Sequence, residues 1–125
     1  MRMEHFALNV ADPVAMGAWY CENLGMKLVR ESGGPSFTRF IADDSGMMIE
    51  LYNNPANPHF DGARTGTQTW HLAFQADDIE ADTARLVAAG GTAVGEISTT
   101  PVGDRLGFIR DPWGFTVQLV KRAAR

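Results

Sequence analysis

The chain has one cysteine, Cys21, among its 125 residues, so no disulfide can form within it. A single thiol is usual in a reducing compartment, and we therefore expect a cytoplasmic location. No apolar run approaches the ~20 residues that a membrane-spanning helix needs, so we expect no membrane insertion. The first five residues also lack the apolar segment of a secretory signal.

Basic residues are too few to indicate a nucleic-acid partner. Lys and Arg number 11 against 15 Asp and Glu, which gives a net charge of −4. A nucleic-acid-binding domain usually carries a basic patch, and none is evident here. The apolar content of 45% and the charged content of 21% are ordinary for a globular domain. The length is sufficient for one domain, residues 1–125, with a buried core.

The most informative positive feature is an internal repeat. His71 follows His5 by 66 residues, and Gln118 follows Glu50 by 68 residues. Self-similarity at this spacing indicates a duplicated supersecondary unit. Three pairs of segments align between the halves: His5–Asp12 with His71–Asp78, Phe40–Gly46 with Phe108–Gly114, and Met47–Leu51 with Phe115–Leu119.

The first half reads as a strand, a helix and three further strands. Residues 3–10 alternate between apolar and other side chains, which predicts a half-buried strand. Asp12 and Pro13 are typical of a helix N-terminus, and Gly25 is typical of its end. Short apolar stretches between turn residues predict strands near 26–32, 36–42 and 47–53.

The second half repeats this order. A strand is predicted from Trp70 and His71, followed by a helix that Asp77 caps with Glu80 in a capping box. The predicted buried stripe of that helix is Ile79, Thr83, Leu86 and Val87, and further strands are expected near 92–97, 104–110 and 115–121. The sequence therefore predicts an α+β fold of two βαβββ modules, at about 1–53 and 69–121, with a linker at about 54–68.

Strand alternation places the chemically interesting residues on one face. Ile49 and Leu51 share the face that packs under the helix, which leaves Glu50 on the opposite face. The same alternation places Gln118, His5 and His71 opposite their apolar neighbours. A sheet curved around that face would gather all four. Two imidazoles and a carboxylate are a common ligand set for zinc, nickel or non-haem iron.

Two alternatives remain at these positions. Glu50 interrupts an apolar strand and needs a partner, which a salt bridge to Arg39 or Arg105 would also supply. Gln118 can act as a metal ligand or as a hydrogen-bonding wall residue.

The chain resembles the vicinal oxygen chelate superfamily, which includes glyoxalase I, bleomycin-resistance proteins and extradiol dioxygenases. The resemblance extends over the whole chain and depends on residues 5–10, 20–26, 49–51, 71–74 and 111–119. It implies two tandem βαβββ modules that form a curved mixed sheet cleft, commonly in a homodimer. It also implies metal ligands at His5, Glu50, His71 and Gln118.

Two departures separate the sequence from glyoxalase I itself. That enzyme usually has glutamate where Gln118 stands, and an arginine for the glutathione carboxylate where Asn9 stands. Asn54 does match a position that contacts glutathione.

The resemblance and the residues together predict a metal-dependent, glyoxalase-like lyase or isomerase. Its substrate would be a small molecule whose adjacent oxygens chelate a divalent Zn, Ni, Mn or Fe ion, which stabilises an enediolate or a similar oxyanion. Glu50 is the expected proton carrier. The candidate substrate contacts are Asn9, Gln75, Asn54, Trp113 and Arg105.

Two other functions fit the same residues. One is a metal-free binding protein of the bleomycin-resistance type, with stacking of a planar ligand on Trp113, Phe37 or Tyr52. The other is a ferrous extradiol dioxygenase, since two histidines and one carboxylate form a facial triad.

Overall fold

The computed structural model describes residues 1–124. The chain divides into two compact units, the first spanning Met1–Phe60 and the second beginning at Asp61. Each unit contains one α-helix and one four-stranded mixed sheet. The predicted α+β fold of two βαβββ modules is confirmed. The division between the units falls within the segment 54–68 that we assigned to a linker.

The first unit orders its strands β1-β4-β3-β2. Strand β1 runs parallel to β4, whereas the pairs β4–β3 and β3–β2 are antiparallel. The strands are slightly shorter than predicted. The elements are β1 His5–Asn9, α1 Pro13–Leu24, β2 Lys27–Glu31, β3 Arg39–Ala42 and β4 Met48–Tyr52.

The predicted ends of α1 are confirmed. The side chain of Asp12 accepts a hydrogen bond from the main-chain N–H of Ala15 at 3.1 Å, and Pro13 occupies the first turn. Gly25 closes the helix at φ 69°, a left-handed conformation that suits glycine. Both ends are therefore determined by local sequence.

The core of the first unit lies between α1 and one face of the sheet. Ile49 and Leu51 are 4% and 1% exposed, whereas Glu50 between them is only half-buried. This alternation confirms that Glu50 points to the face away from the helix. The buried side chains of this core are Leu8, Val10, Met16, Trp19, Tyr20, Met26, Ile41, Ile49 and Leu51.

The second unit repeats the arrangement with strand order β5-β8-β7-β6. Its strand β5 begins at Leu72, so the prediction that Trp70 and His71 lie inside the strand is wrong. A turn precedes them, in which the N–H of Trp70 donates to the carbonyl of Gly66. The elements are a 3₁₀ turn at Gly62–Arg64, β5 Leu72–Gln75, α2 Ile79–Ala88, β6 Thr92–Thr99, β7 Arg105–Arg110 and β8 Thr116–Lys121.

The N-terminus of α2 differs from the prediction. The cap is Asp78, whose side chain accepts from the N–H of Ala81 at 3.0 Å, so the capping box of Asp77 and Glu80 is wrong. Burial of Ile79 and Leu86 at 1% and 0% exposure sets the helix phase, and this phase makes Asp78 the last residue before the helix. The carboxylate of Glu80 pairs instead with Arg105.

Val87, the last residue of the predicted buried stripe of α2, is 41% exposed, so its assignment to the core is wrong. In the described part of the chain, neither α-helix combines the length and apolar character needed to cross a membrane.

The segment that opens the second unit is held by one arginine. Arg110 on β7 donates hydrogen bonds to the carbonyls of Gly62 and Gly114, both at 2.8 Å, and to that of Thr65 at 3.2 Å. Gly62 lies so close to Phe115 that an added Cβ would be 2.7 Å from the ring. Much of the predicted linker is thus packed against the second sheet.

Candidate functional site

A histidine, an acid and an aromatic ring meet in the first unit, which we call the first half-site (His5, Phe40 and Glu50). Phe40 and Glu50 are cross-strand partners on β3 and β4. The imidazole of His5 meets the ring of Phe40 edge-on, with centroids 5.4 Å apart. Its Nε2 atom lies 3.7 Å from Oε1 of Glu50. Both polar side chains are partly exposed, at 34% for His5 and 24% for Glu50.

The second unit contains the same arrangement, which we call the second half-site (His71, Phe108 and Gln118). Phe108 and Gln118 are cross-strand partners on β7 and β8. The imidazole of His71 meets the ring of Phe108 edge-on at 5.5 Å. Two positions of the half-site, the histidine and the phenylalanine, therefore keep their geometry, and the third exchanges a carboxylate for an amide.

Hydrogen bonds at Nδ1 orient both imidazoles. In His5 this atom lies 2.7 Å from a carboxylate oxygen of Glu4, and in His71 it lies 2.7 Å from the main-chain carbonyl oxygen of Thr67. Both of these oxygens are acceptors, so Nδ1 carries the proton in each ring. In the neutral imidazole Nε2 is then unprotonated, which is the form that binds a metal ion.

The first half-site suits a cation. With Nδ1 protonated, Nε2 of neutral His5 presents a lone pair, and the carboxylate of Glu50 presents another at 3.7 Å. This separation is too long for a strong hydrogen bond and lacks a donor between the atoms. A proton or a metal ion between them would remove the repulsion. The donor atoms, one imidazole nitrogen and one carboxylate oxygen, are ordinary ligands of zinc and of related divalent ions.

The first half-site brings its histidine within 3.7 Å of Glu50, and in the second half-site Phe108 contacts His71 and pairs with Gln118. Across residues 1–124, the structure contains no cluster of three or more His, Cys, Asp or Glu side chains arranged to hold a metal ion. The metal-ligand assignment of His5, Glu50, His71 and Gln118 therefore stays a prediction.

Asn9 and Asn54, two predicted substrate contacts, lie together in a loop clamp. The amide group of Asn9 donates to the carbonyl oxygens of Asn54, Asn57 and Pro58 at 2.9, 3.1 and 3.2 Å. Its oxygen accepts from the N–H of Asn54 at 2.7 Å, and Asn9 is only 9% exposed. These bonds hold the segment after β4 against β1. Ligand contact by either residue stays a prediction.

The other three predicted substrate contacts, Gln75, Trp113 and Arg105, lie on different elements of the second unit. Gln75 is exposed on β5, and Trp113 is half-buried in the turn before β8. The guanidinium of Arg105 forms a two-point ion pair with the carboxylate of Glu80. This pair lowers the pKa of Glu80 and raises that of Arg105.

The two arginines proposed as salt-bridge partners of Glu50 have other partners. Arg39 lies 3.6 Å from a carboxylate oxygen of Glu31 and donates to three main-chain carbonyls, and Arg105 is held by Glu80. Among the ion pairs of the described residues, the partner of Glu50 is His5.

Sequence reasoning missed Phe40 and Phe108. Both rings contact the histidines, and both occupy matched positions in the repeat. Their pairing at an offset of 68 residues was the available signal. Glu4 and Thr67 were also missed, because no sequence pattern marks a residue that accepts a hydrogen bond from a histidine ring.

Cys21 lies half-buried in α1, and burial raises the pKa of its thiol. A raised pKa disfavours the reactive thiolate, which agrees with a packing role rather than a nucleophilic one.

Comparison with known proteins identifies the family. The model of the Glyoxalase/Bleomycin resistance protein/Dioxygenase superfamily matches residues 2–119. The chain belongs to this superfamily, as the resemblance implied.

Individual relatives include named enzymes and a binding protein. The chain is 29% identical over 127 residues to a probable lactoylglutathione lyase of Vibrio parahaemolyticus, covering 96% of this chain and 90% of the relative. It superposes on glyoxalase I from Zea mays with a TM-score of 0.77 and 27% identity, covering 98% of this chain and 45% of that one. It also superposes on TnmS3, an antibiotic binding protein from Streptomyces sp. CB03234, with a TM-score of 0.73 and 25% identity, covering 98% and 97%.

Proposed function

We propose that the protein is a metal-dependent, glyoxalase-like enzyme of the lyase or isomerase type. Its metal ligands would be His5, Glu50 and His71, with Gln118 at the fourth position. The observation that supports this most is that Nδ1 of each imidazole lies 2.7 Å from an acceptor oxygen, which leaves the Nε2 lone pair of the neutral ring available to a ligand. The relatives named lactoylglutathione lyase support the reaction class.

A divalent ion held there supplies Lewis-acid stabilisation of negative charge on a substrate oxygen. Glu50 is the one carboxylate among the four proposed ligand positions, so it is also the residue that would accept and return a proton. Gln118 keeps both a donor and an acceptor and would hold a water molecule or a substrate oxygen by hydrogen bond. Phe40 and Phe108 fix the histidine rings from the side.

Glutathione recognition through Asn9 and Asn54 is not favoured by the geometry. The amide of Asn9 is engaged with the loop, and the side-chain oxygen of Asn54 accepts from the N–H of Ala56 at 3.0 Å. The proposed substrate is a small molecule with two adjacent oxygens, and its contact with Asn9 or Asn54 would require these side chains to leave their present partners.

The resemblance and the single cysteine add two further proposals. We propose a homodimer, which light scattering of the purified protein would show as twice the mass of the 13.6 kDa chain. We also propose a reducing, cytoplasmic setting, which fractionation of the source cells would test.

Metal analysis of the freshly purified protein tests the main proposal. We expect roughly one equivalent of a divalent ion per chain, removable by a chelator and restored by zinc, nickel, manganese or ferrous iron. The variants His5→Ala and His71→Ala should lose this uptake. His59→Ala is the matched control, because His59 is an exposed histidine bonded to Asn53. A parent protein that takes up none of the four ions would contradict the proposal.

A second candidate is metal-free sequestration of a planar compound. It is favoured by the neutral amide at Gln118 and by the likeness to an antibiotic binding protein of nearly equal length. This function predicts that ligand affinity is unchanged in chelator and in His5→Ala. Fluorescence titration with aromatic antibiotics in chelator distinguishes the two candidates.

A further inference from the structure

Arg30 lies on the same face of the first sheet as the first half-site. Arg30 pairs with Phe40 across β2 and β3, and Phe40 pairs with Glu50 across β3 and β4. Directly opposed residues of neighbouring strands share a face. The three side chains thus form one row that crosses the sheet on the side away from α1.

One aromatic ring contacts both the arginine and the histidine. The guanidinium carbon of Arg30 lies 5.6 Å from the centroid of Phe40, within the range of a cation–π contact. The imidazole of His5 meets the same ring edge-on at 5.4 Å. Phe40 therefore contacts both the permanent positive charge of Arg30 and one of the proposed metal ligands, His5.

The charge of Arg30 is not balanced by a carboxylate within the described residues. Arg39, Arg105 and Arg122 each lie within 4 Å of an acid, whereas the contact found for Arg30 is the Phe40 ring alone. An arginine fork that is oriented but unpaired is suited to bind an oxyanion of a ligand.

A small cavity adjoins the guanidinium. Its volume is about 130 Å³, and its lining residues are Glu4, Val29, Arg30, Phe40 and Met48. A water molecule occupies about 30 Å³ in the liquid, so the space accommodates a group of a few atoms. Glu4 is the acid of this lining, and its Oε1 atom lies against Nδ1 of His5.

The second unit lacks this cation. The residue that pairs with Phe108, as Arg30 pairs with Phe40, is Val94. The repeat is thus asymmetric at two matched positions, since the first unit has Arg30 and Glu50 where the second has Val94 and Gln118.

We propose that Arg30 binds the carboxylate of the substrate, so that the substrate class is a small carboxylic acid with a neighbouring hydroxyl or carbonyl oxygen. This inference rests on the proposed function for the position of the reacting oxygens. It makes Arg30 a specificity-determining residue, because a neutral substrate gains nothing from it.

Lactate and its uncharged analogue lactamide test the proposal, since both have adjacent oxygens and differ in charge. Titrations of the chelator-treated protein would follow by NMR the main-chain amide signals of Val29 and Phe40, which line the same cavity and are retained in every variant. We expect lactate to bind about tenfold more tightly than lactamide, the effect of one charge-assisted contact. Arg30→Gln should remove that difference, and Arg30→Lys should restore part of it. Arg64→Gln is the control, because it removes the same positive charge at an exposed site.

Three outcomes would overturn the proposal. These are equal affinities for lactate and lactamide in the parent, an Arg30→Gln variant that matches Arg64→Gln, or Arg30-dependent binding of inorganic phosphate without that of lactate. Metal uptake by Arg30→Gln separates this inference from the proposed function. If Arg30→Gln takes up metal normally and binds lactate as the parent does, the role of Arg30 alone is rejected. If the parent takes up no metal but its lactate binding depends on Arg30, the metal site alone is rejected.

Discussion

The Nε2 atom of His5 lies 3.7 Å from Oε1 of Glu50, while Nδ1 of the same ring lies 2.7 Å from a carboxylate oxygen of Glu4. An imidazole held in this way loses little freedom when it binds a cation. The pair is therefore organised before any ligand arrives, which is the property that a metal site needs from its supporting contacts.

Removal of the acceptor behind His5 should weaken metal binding. We expect Glu4→Ala to lower the affinity for a divalent ion by about 10–100-fold, since the ring would lose its fixed tautomer and orientation. Competition with a chromogenic chelator would measure this. Glu22→Ala, an exposed acid on α1, is the control and should bind as the parent does. Equal affinity in both variants would show that Glu4 does not support the site.

Restoration of the missing carboxylate should strengthen metal binding. Gln118→Glu adds a charged oxygen at the position that matches Glu50, and affinity rises with the charge count of the ligands, here by roughly tenfold or more. Calorimetric titration with zinc and nickel would measure the change. Gln75→Glu introduces the same charge at an exposed position of β5 and should have little effect. A similar gain in both variants would indicate a general charge effect rather than a ligand.

Asn9 should matter for stability. Asn9→Ala removes donors to three carbonyls and the acceptor for the N–H of Asn54, and leaves these main-chain groups without their partner. We expect a loss of about 2–3 kcal/mol in the free energy of unfolding, measured by urea denaturation. Gln75→Ala should change it by less than about 0.5 kcal/mol. A loss of less than about 0.5 kcal/mol in Asn9→Ala would contradict a stabilising role for the hydrogen bonds of Asn9.

The turn between β3 and β4 should make stability depend on pH. The hydroxyl of Ser45, together with the main-chain N–H groups of Ser45 and Met47, holds the pKa of Asp43 below its usual value. The unfolded chain takes up this proton first as the pH falls, so the contribution is complete above the ordinary pKa near 4 and is lost as the pH falls through the lowered value.

Asp43→Asn should therefore be less stable than the parent at pH 7, by at most about 1 kcal/mol because the residue is exposed. The difference should shrink towards zero by about pH 2–3. Urea denaturation across this range would measure it. A difference that stays constant with pH would mean that the charge of Asp43 has no part in the turn.

Much of the fold could be predicted because its signals are local. The alternation around Glu50 placed it on the face away from the helix, and Asp12 with Gly25 marked both ends of α1. Local sequence could not decide which residue caps the N-terminus of α2, since Asp77 and Asp78 are equally good capping residues. Burial of Ile79 decided between them, and burial depends on the folded sheet.

The candidate site was predicted in part for the same reason. The repeat identified His5, His71, Glu50 and Gln118, and strand parity placed Glu50 on the face shared with His5. The clamp of Asn9 was not foreseeable, because it depends on how residues 54–58 fold back over β1. The acceptors Glu4 and Thr67 likewise become visible only when the chain is folded.

Two adjacent residues, Phe60 and Asp61, mark the boundary between the two units. The N–H of Phe60 donates to the carbonyl of Asn9, whereas the side chain of Asp61 accepts from the N–H of Arg64. Residues 61–65 therefore belong structurally to the second unit, where Arg110 donates to the carbonyls of Gly62 and Thr65. Exchange of halves between relatives should join the peptide between positions 60 and 61, because a junction at 68 would take Gly62 and Thr65 from one relative and Arg110, which binds their carbonyls, from the other.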